Sequence, residues 1–508
     1  MSSWIKNAVF YQIYPSSFYD TNNDGYGDFK GIEEKLDYIK YLGCNAIWLS
    51  PCFDSPFRDG GYDVRDFFKV SDRFGTLEDL LSLLKSAHKL GIKIILDLVA
   101  GHTSEENEMF KKSASCEKNE FSDRFVWTKS PWDMPEGYRF ISGRSDRYGN
   151  YLINFFSTQP AINYGFNKIT APWQMHYKDP ECQKSVEWLK SVIKYWLDLG
   201  FDGFRVDMAD YLVKNDDEKK ANIELWQEIK AMIKNKYPEA ILISEWSNPA
   251  QSLIAGFDAD FILDHKGNCY NALLRYEQYS EKSVFDINGE GNILDFTDDF
   301  FKRFKNSSDN GFISFITCNH DTLRLAPDYS IPQLKVIYSF IFSLPGIPFL
   351  YYGDEIGMKY QKLNSKECGF QRTGSRTPMQ WSFDKNMGFS KCDEDKLYLP
   401  VDTDKNICVE TQINDKDSLL NVVKTIIEFK KSNPDFNENN FETIYAEKNK
   451  FPFVFKRGKY LIAVNPTNKE QNVKLNLKGK IVYSVGKTEI DDSGLSMQAI
   501  SFLIAEIS

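Results

Sequence analysis

KIILDLV, residues 93–99, is an almost continuous apolar run that leads into a loop carrying Gly101 and His102. The runs AILISEW, residues 240–246, and GIPFLYY, residues 346–352, have the same character. Strands of a parallel sheet are buried on both faces, so they are apolar at nearly every position, whereas antiparallel strands usually alternate. These three runs therefore predict a buried parallel sheet.

Strand candidates of this kind recur along the chain. Each is followed by a loop rich in Gly, Pro and Asp and then by a stretch with helical periodicity, which is the pattern of repeated βα units. Eight such units predict a (β/α)₈ barrel, the TIM-barrel fold, which typically takes about 250 residues. The strand candidates are 8–14, 46–50, 93–99, 203–207, 240–245, 257–263, 313–319 and 347–352.

Helices are predicted at 77–90, 181–199 and 418–431, because apolar residues fall there at three- and four-residue steps. Thr76 is a candidate N-cap for the first of them, since a hydroxyl at this position can accept a free backbone N–H. The three helices fit the βα rhythm because they follow the second, third and eighth strands.

The chain of 508 residues is about twice as long as a barrel needs. A stretch rich in Asn, Gly, Ser and aromatic residues interrupts the rhythm after the third strand, and short alternating strands such as 460–465 follow the last helix. The predicted organisation is a barrel with a small inserted domain and a C-terminal antiparallel β-sandwich. The domains are expected at 1–102 and 179–434 for the barrel, 103–178 for the insertion and 435–508 for the sandwich.

The net charge, the apolar runs and the cysteine content limit the classes of binding partner that the protein can have. A net charge of −10 disfavours nucleic acid and anionic membranes, which require clustered Lys and Arg. The sequence has no apolar run of about eighteen residues and no basic-then-apolar leader. Its nine cysteines show no CxxC pair or disulfide spacing. We expect a cytoplasmic protein with no membrane or nucleic-acid partner; the sequence leaves the oligomeric state open, with a monomer favoured.

In a barrel, reactive side chains belong at the C-terminal ends of the strands. Three strand candidates end on or next to a carboxylate, namely Asp207, Glu245 and Asp321. One such carboxylate alone often caps the next helix. Three of them at the ends of the fourth, fifth and seventh strands favour a shared catalytic pocket.

The sequence resembles the α-amylase family, glycoside hydrolase family 13, and within it the branch of α-glucosidases, oligo-1,6-glucosidases and trehalose-processing enzymes. The resemblance covers essentially the whole chain and implies the same three-part fold. The motifs that carry it are AVFYQIYPSSFYD (8–20), DGGYDV (59–64), GHTS (101–104), QPAIN (159–163), GFRVD (203–207), SEW (244–246), NHD (319–321), FLYYGDEIG (349–357) and RTGSRTPMQW (372–381).

The resemblance implies a retaining glycoside hydrolase. Asp207 would be the nucleophile, Glu245 the general acid/base and Asp321 a third essential carboxylate. Retention requires the first two carboxyl groups to lie about 5–5.5 Å apart. Arg205 lies two residues before Asp207 and on the same side of the strand, so we expect it to keep Asp207 ionised.

The same resemblance assigns the substrate-binding residues. His102 and His320 would hydrogen-bond the sugar, and Tyr62 would stack beneath it. Asp59 and Arg372 resemble the pair that holds the terminal glucose and closes the pocket behind it. The enzyme is therefore expected to act from the non-reducing end.

The segment DTNNDGYGD, residues 20–28, places oxygen ligands at alternate positions around a Gly turn, as calcium loops do. Gly31 occupies the position where an EF-hand loop has Glu, and the segment follows a strand. The resemblance implies one structural Ca²⁺ site in the first βα loop and no organic cofactor; a loop of Asx turns without metal is the alternative. The implied ligands are the side chains of Asp20, Asn22, Asp24 and Asp28 and the carbonyl of Tyr26.

Several departures leave the linkage open. Gly101 stands where the family usually has Asn, QPAIN differs from the QPDLN typical of oligo-1,6-glucosidases, and Met208 and Trp246 match neither the α-1,4 nor the α-1,6 pattern. The expected function is hydrolysis of short malto- or isomaltooligosaccharides. The alternatives are a trehalose- or sucrose-converting transglycosylase or isomerase, an endo-acting α-amylase, and a non-catalytic amylase-like interaction protein.

Overall fold

The computed structural model describes residues 2–276, 281–367, 372–476, 478–491 and 493–507. Its centre is a closed barrel of eight parallel strands, β1, β2, β5, β8, β9, β10, β11 and β12, in that order around the ring. The strands as far as Tyr351 are β1 (Phe10–Ile13), β2 (Ala46–Leu49), β3 (Phe53–Asp54), β4 (Asp66–Val70), β5 (Lys93–Val99), β6 (Phe140–Ile141), β7 (Tyr151–Leu152), β8 (Gly203–Asp207), β9 (Ile241–Ser244), β10 (Ala259–Phe261), β11 (Phe312–Ile316) and β12 (Ile347–Tyr351).

The barrel confirms the predicted fold class. β1 pairs with both β2 and β12, which closes the ring. The predictions 93–99 and 203–207 match β5 and β8 at both ends. Other predicted strands are too long, because apolar or small residues continue after the sheet ends. In the seventh unit the chain leaves β11 after Ile316, and the next five residues turn into the site.

Helices surround the barrel, and the three predicted ones are confirmed to within one residue at each end. Thr76 caps its helix as predicted: its hydroxyl accepts the N–H of Asp79 at 3.2 Å, and the Asp79 carboxylate accepts the Thr76 N–H at 2.9 Å. The helices are α1 (Phe29–Glu34), α2 (Leu36–Tyr41), α3 (Leu77–Lys89), α4 (Glu108–Ser113), α5 (Pro180–Asp198), α6 (Lys220–Lys236), α7 (Pro249–Ser252), α8 (Cys269–Leu274), α9 (Ile293–Lys305), α10 (Ile331–Ser343), α11 (Val409–Gln412) and α12 (Leu419–Ser432).

The chain between β5 and α5 forms the excursion expected after the third barrel strand. It contains α4, the hairpin β6–β7 and a small apolar cluster of its own around Phe140, Phe166 and Trp173. Isolated bridges join His102 to Ala161 and Phe166 to Lys214, so the excursion lies against the loops after β5 and β8. The domain boundaries drawn from the sequence remain a prediction.

The C-terminal residues form two antiparallel sheets, as predicted. A five-stranded sheet in the order β13-β14-β15-β20-β17 faces a three-stranded sheet, β16-β19-β18, across an apolar cluster that includes Val454. Phe453 and Phe455 point the other way and pack on Phe340 of α10. This alternation buries both faces of the larger sheet. The strands are β13 (Glu442–Glu447), β14 (Lys450–Arg457), β15 (Tyr460–Asn465), β16 (Gln471–Val473), β17 (Gly479–Val485), β18 (Thr488–Asp491), β19 (Gly494–Met497) and β20 (Ser501–Ile507).

Candidate active site

Arg205 joins three of the strand ends. Its Nη1 donates to Asp97 Oδ1 at 2.8 Å and to Asp207 Oδ1 at 3.0 Å, and its Nη2 lies 2.7 Å from Glu245 Oε1. The guanidinium is buried, so these charge-assisted bonds are shielded from water. One cation therefore gathers the ends of β5, β8 and β9 around a single pocket.

Asp97 is a site residue that the sequence analysis missed. Its Oδ2 accepts hydrogen bonds from Trp48 Nε1 and from the Tyr62 hydroxyl, each at 3.0 Å. Burial raises the pKa of Asp97, and Arg205 opposes this shift. The available signal was a carboxylate inside the apolar run KIILDLV, because a buried carboxylate is unfavourable unless it is paired.

Tyr62 and His320 are buried and stack on each other next to Asp97 and Asp321. Their rings stack with centroids 5.1 Å apart and planes 9° apart. Gln12 Nε2 donates to His320 Nδ1 at 2.9 Å, so Nε2 carries the ring proton. That nitrogen lies 2.6 Å from the Tyr62 hydroxyl and 3.2 Å from Asp321 Oδ2. The chain of contacts links Tyr62 to the third predicted carboxylate.

Asp321 lies at the open mouth, with 35% of its side chain exposed. Its Oδ1 is 3.0 Å from both Arg372 Nη1 and Arg376 Nη2. Burial opposes ionisation, but His320 and the two arginines outweigh it and hold the pKa of Asp321 well below its usual value. The carboxylate is therefore charged and able to accept hydrogen bonds from sugar hydroxyls.

Asp59 and Arg372, predicted as a pair, are in contact. Arg372 Nη2 lies 2.5 Å from Asp59 Oδ1, and Gln159 Nε2 donates to Asp59 Oδ2 at 2.7 Å. The Arg372 guanidinium also lies 5.6 Å from the ring centroid of Phe156. These contacts tie together the loops that carry Asp59, Gln159 and Arg372.

Arg376 was also missed, although the quoted motif RTGSRTPMQW contains it. It is fully buried, forms an ion pair with Glu367, and donates through Nε to the His320 carbonyl at 2.9 Å. The Tyr14 hydroxyl donates to Glu367 at 2.8 Å. Arg376 therefore fixes the loop that carries His320 and Asp321.

His102 lies beneath the pocket with both ring nitrogens engaged by protein. Nε2 is 3.1 Å from the Tyr62 carbonyl, and Nδ1 is 3.3 Å from Asn154 Nδ2. Burial lowers the pKa of His102 to about 4, so the ring is neutral. A Cβ at Gly101 would lie only 2.9 Å from Asn154 Nδ2, so glycine makes room for this amide. The predicted sugar contact of His102 remains a prediction.

Asp207 and Glu245 form a coupled pair. Glu245 Oε2 accepts the N–H of Met208, which adopts a left-handed backbone with φ of 44°, at 3.0 Å. Burial and the nearby Glu245 raise the pKa of Asp207 well above its usual value, and Arg205 only partly offsets them. Arg205 therefore favours the ionised form of Asp207, as expected, but does not by itself set the pKa of this carboxyl group.

A cleft of about 300 Å³ opens beside the nucleophile candidate, lined by Asn154, Met208, Tyr211 and Lys214 among others. Lys214 is buried, and its Nζ donates to the Tyr211 carbonyl at 3.3 Å. Burial lowers the pKa of Lys214 to about 7. The cleft provides space for a second sugar next to the pocket.

The loop of residues 20–28 is closed by its own hydrogen bonds. Asp20, Asn22 and Asp24 accept backbone N–H groups of the same loop at 2.7–2.9 Å, and Asp28 caps α1. Tyr26 lies in the same loop. The oxygens suit Ca²⁺ chemically, but within the described ranges no three His, Cys, Asp or Glu side chains are gathered to hold a metal. Calcium binding therefore remains a prediction.

Comparison with known proteins places this geometry in a family. Residues 12–439 match the family model of the α-amylase catalytic domain. The chain belongs to the α-amylase family. This match confirms the family predicted from the motifs. The protein is therefore a glycoside hydrolase, and its substrate class is a small carbohydrate.

Relatives within the α-amylase family carry several activities in their names. The chain is 32% identical over 489 residues to a trehalose synthase/amylase of Mycolicibacterium smegmatis, covering 87% of this chain and 79% of that protein. It is 30% identical to a glucan 1,6-alpha-glucosidase of Streptococcus pneumoniae, covering 94% of each. An isomaltulose synthase structure from Erwinia rhapontici superposes over 100% of both chains with a TM-score of 0.84 and 23% identity, which shows a shared fold. No helix in the described residues is long and apolar enough to cross a membrane.

Proposed function

We propose that this α-amylase-family enzyme hydrolyses the α-glucosidic bonds of short malto- or isomaltooligosaccharides from the non-reducing end, with retention of configuration. The observation that carries the proposal is the Asp207–Glu245 pair held by one buried arginine, with ionised Asp321 at the mouth of the same pocket. Relatives named glucan 1,6-alpha-glucosidase and oligo-1,6-glucosidase support the substrate class.

In the proposed mechanism Asp207 attacks C1 of the terminal glucose. Arg205 Nη1 donates to Asp207 Oδ1 at 3.0 Å, which fixes the orientation of the attacking carboxylate. Glu245 gives its proton to the departing glycosidic oxygen, which leaves as an alcohol while the glycosyl–Asp207 ester forms. Water, deprotonated by Glu245, then attacks C1 and releases glucose and Asp207.

The other pocket residues stabilise the reacting sugar. Positive charge develops on the ring as the bond breaks, and fixed carboxylates in a partly dehydrated pocket favour that state over the ground state. Asp321 accepts hydrogen bonds from the ring hydroxyls, and His320 fixes its orientation through the 3.2 Å contact. Arg205 retains its charge and prevents the surrounding carboxylates from all taking up protons.

The test is a panel of maltose, isomaltose, trehalose, sucrose, panose and maltoheptaose, with the first product followed by NMR. We expect glucose to appear first as the α-anomer, because two displacements restore the configuration. A β-anomer as the first product would contradict retention. Large internal fragments from maltoheptaose with intact maltose would instead indicate endo action.

Arg372→Ala should open the closed end of the pocket. We expect kcat/KM for maltose or isomaltose to fall about 10–100-fold, since a hydrogen bond to a charged group contributes about 1.5–3 kcal/mol. Intermediate oligosaccharides should appear from maltoheptaose, measured by chromatography of early products. Arg58→Ala is the control, because Arg58 pairs with Glu105 outside the pocket. Unchanged products from Arg372→Ala would argue against the terminal-glucose role.

A second candidate function is transfer to a sugar acceptor, as in trehalose- or sucrose-converting enzymes. It is favoured by the cleft beside Met208, which has room for a sugar that could replace water as the acceptor. Relatives named trehalose synthase support it. Product analysis at high substrate concentration separates the two functions, because transfer yields new disaccharides in proportion to acceptor concentration whereas hydrolysis yields glucose.

We also propose one structural Ca²⁺ in the 20–28 loop. If the metal binds only the folded state, Ca²⁺ at about 100 times its Kd stabilises the protein by about 2.7 kcal/mol. Adding Ca²⁺ to EDTA-treated protein should therefore raise the melting temperature, and Asp24→Ala should abolish the rise. Asp72→Ala, which removes an exposed carboxylate elsewhere, should leave it intact. A melting temperature indifferent to Ca²⁺ would mean that the loop needs no metal.

The cytoplasmic location and the monomeric state remain proposals. Eight free cysteines are seen in the described residues, and seven of them are buried. They therefore behave as small apolar side chains, which favours a reducing compartment. Light scattering at working concentration would test the monomer.

A further inference from the structure

Asp260 fastens the turn that carries Glu245. It lies in β10, next to β9 in the barrel, and its side chain is fully buried. Oδ1 accepts three hydrogen bonds: from Ser244 Oγ at 2.6 Å, from the Trp246 N–H at 3.1 Å and from the Ser247 N–H at 3.3 Å. The three donors lie on both sides of Glu245 in the sequence.

The contacts of Asp260 are unusual for a buried carboxylate. No Lys, Arg or His is among the groups that shift its pKa, and the Ser252 hydroxyl is the one further side-chain donor that lowers the pKa in the described ranges. Burial raises the pKa of Asp260 to about 7, against the effect of its donors. Burying such a group is unfavourable, so its retention requires a compensating role.

The turn itself needs such a clamp. Ser247 has a left-handed backbone with φ of 60°, which is strained for a residue other than glycine. Arg303 Nη1 donates to the Ser247 carbonyl at 2.8 Å, and the Leu263 N–H donates to Ser247 Oγ at 3.1 Å. Released from these contacts and from Asp260, the turn would relax and carry Glu245 with it.

On its other side Glu245 is fixed by the β8 loop. The Glu245 N–H donates to the Val206 carbonyl at 3.0 Å, and the Glu245 carbonyl accepts the Ala209 N–H at 3.2 Å. The carboxylate itself is held by Arg205 and the Met208 N–H. Asp260 is therefore the side-chain clamp on the face of the turn that lies away from the nucleophile candidate.

We propose that Asp260 is a positioning residue that aims the carboxyl group of Glu245 at the leaving-group oxygen without touching the substrate. The inference rests on the proposed acid/base role of Glu245. A displacement of about 1 Å can lower the rate about a hundredfold. Loss of Asp260 should therefore slow the bond cleavage in which Glu245 donates its proton, and it should leave the binding of the sugar unchanged.

Leaving groups separate this role from a purely structural one. A sugar alcohol is a poor leaving group and needs the proton, whereas 4-nitrophenol leaves as a stable anion and needs it little. The quantity to compare is kcat/KM, which reports bond cleavage in both cases. Asp260→Val should lower kcat/KM about a hundredfold for maltose or isomaltose and less than about threefold for 4-nitrophenyl α-glucoside.

Asp260→Asn keeps an oxygen acceptor for the three donors. We expect a smaller loss with the same dependence on leaving group, about fivefold for the disaccharide, which represents partial rescue by the conservative variant. This variant also keeps the test decisive if Asp260→Val does not fold. Equal losses for both substrates, or no loss for either, would overturn the inference.

The same two substitutions at Asp258 are the matched control. Asp258 is a buried carboxylate two residues earlier; it accepts the Leu242 N–H at 2.9 Å and pairs with Lys230 at 2.5 Å. These variants should lower the melting temperature without dependence on leaving group. If they reproduce the pattern seen at Asp260, the effect belongs to stability and the inference fails.

Glu245→Gln separates this inference from the proposed function. It should show a larger loss for the disaccharide than for the aryl glucoside, and adding Asp260→Val to it should cause little further loss, because both changes remove one contribution. If Glu245→Gln shows no dependence on leaving group, the proposed function fails. If it does and Asp260→Val does not, only the positioning role of Asp260 fails.

Discussion

Asp207→Asn should lower kcat more than about a thousandfold, because an amide cannot form the glycosyl ester and the two-step route is lost. Steady-state kinetics with the best disaccharide of the panel would measure the loss. The variant should fold normally, since removing a buried negative charge beside Glu245 relieves the repulsion that raises the pKa of Asp207.

Asp202→Asn is the matched control for this result. Asp202 lies just before β8, at the opposite end of the strand from Asp207. It accepts the Ile94 N–H at 2.8 Å and forms an ion pair with Lys93 at 2.8 Å. Its loss should lower the melting temperature and leave kcat within a few-fold of the parent. Near-normal turnover by Asp207→Asn would require another nucleophile.

Arg205→Met should abolish most activity and also destabilise the fold. The guanidinium contacts three carboxylates in a buried site, and removing one partner of a buried ion pair typically lowers the free energy of unfolding by about 3–5 kcal/mol. Without the guanidinium the pKa of Asp207 would rise further, which disfavours the ionised form that acts as nucleophile. Denaturant melts and kcat of the folded enzyme measure the two effects separately.

Arg324→Met provides the comparison, because Arg324 is equally buried and forms an ion pair with Asp354 at 2.8 Å outside the pocket. We expect a similar loss of stability with activity retained in the folded fraction. Arg205→Lys should recover little, since an ammonium cannot reach several carboxylates in the planar geometry of a guanidinium. Full activity in Arg205→Lys would show that charge alone suffices.

The barrel was predictable because its strands are buried on both faces and therefore leave a dense apolar signal. KIILDLV and GFRVD were located to the residue. The ends of other strands, such as β11, were not located to the residue, because the last hydrogen bond of a strand depends on the neighbouring strands of the barrel. The three carboxylates were found because their positions follow from where the apolar runs stop.

The contacts that hold the carboxylates were not predictable. Asp97 contacts Arg205 and Arg376 contacts the His320 carbonyl, each more than fifty residues away in the chain, and sequence spacing does not report such contacts. The groups that raise the pKa of Asp207 were hidden for the same reason. The sequence shows Arg205 two residues away, but the approach of Glu245 and the exclusion of water arise only when β8 and β9 pair.

The proposed action from the non-reducing end, in which Asp59 and Arg372 close one end of the pocket, has a kinetic consequence. The substrate enters and the cleaved glucose leaves through the same opening. The shortened chain must therefore dissociate before the glucose can leave. Such an enzyme cannot slide along a polymer. Under this proposal each cleavage begins with a new encounter, and free glucose competes with incoming chain ends for the same binding site.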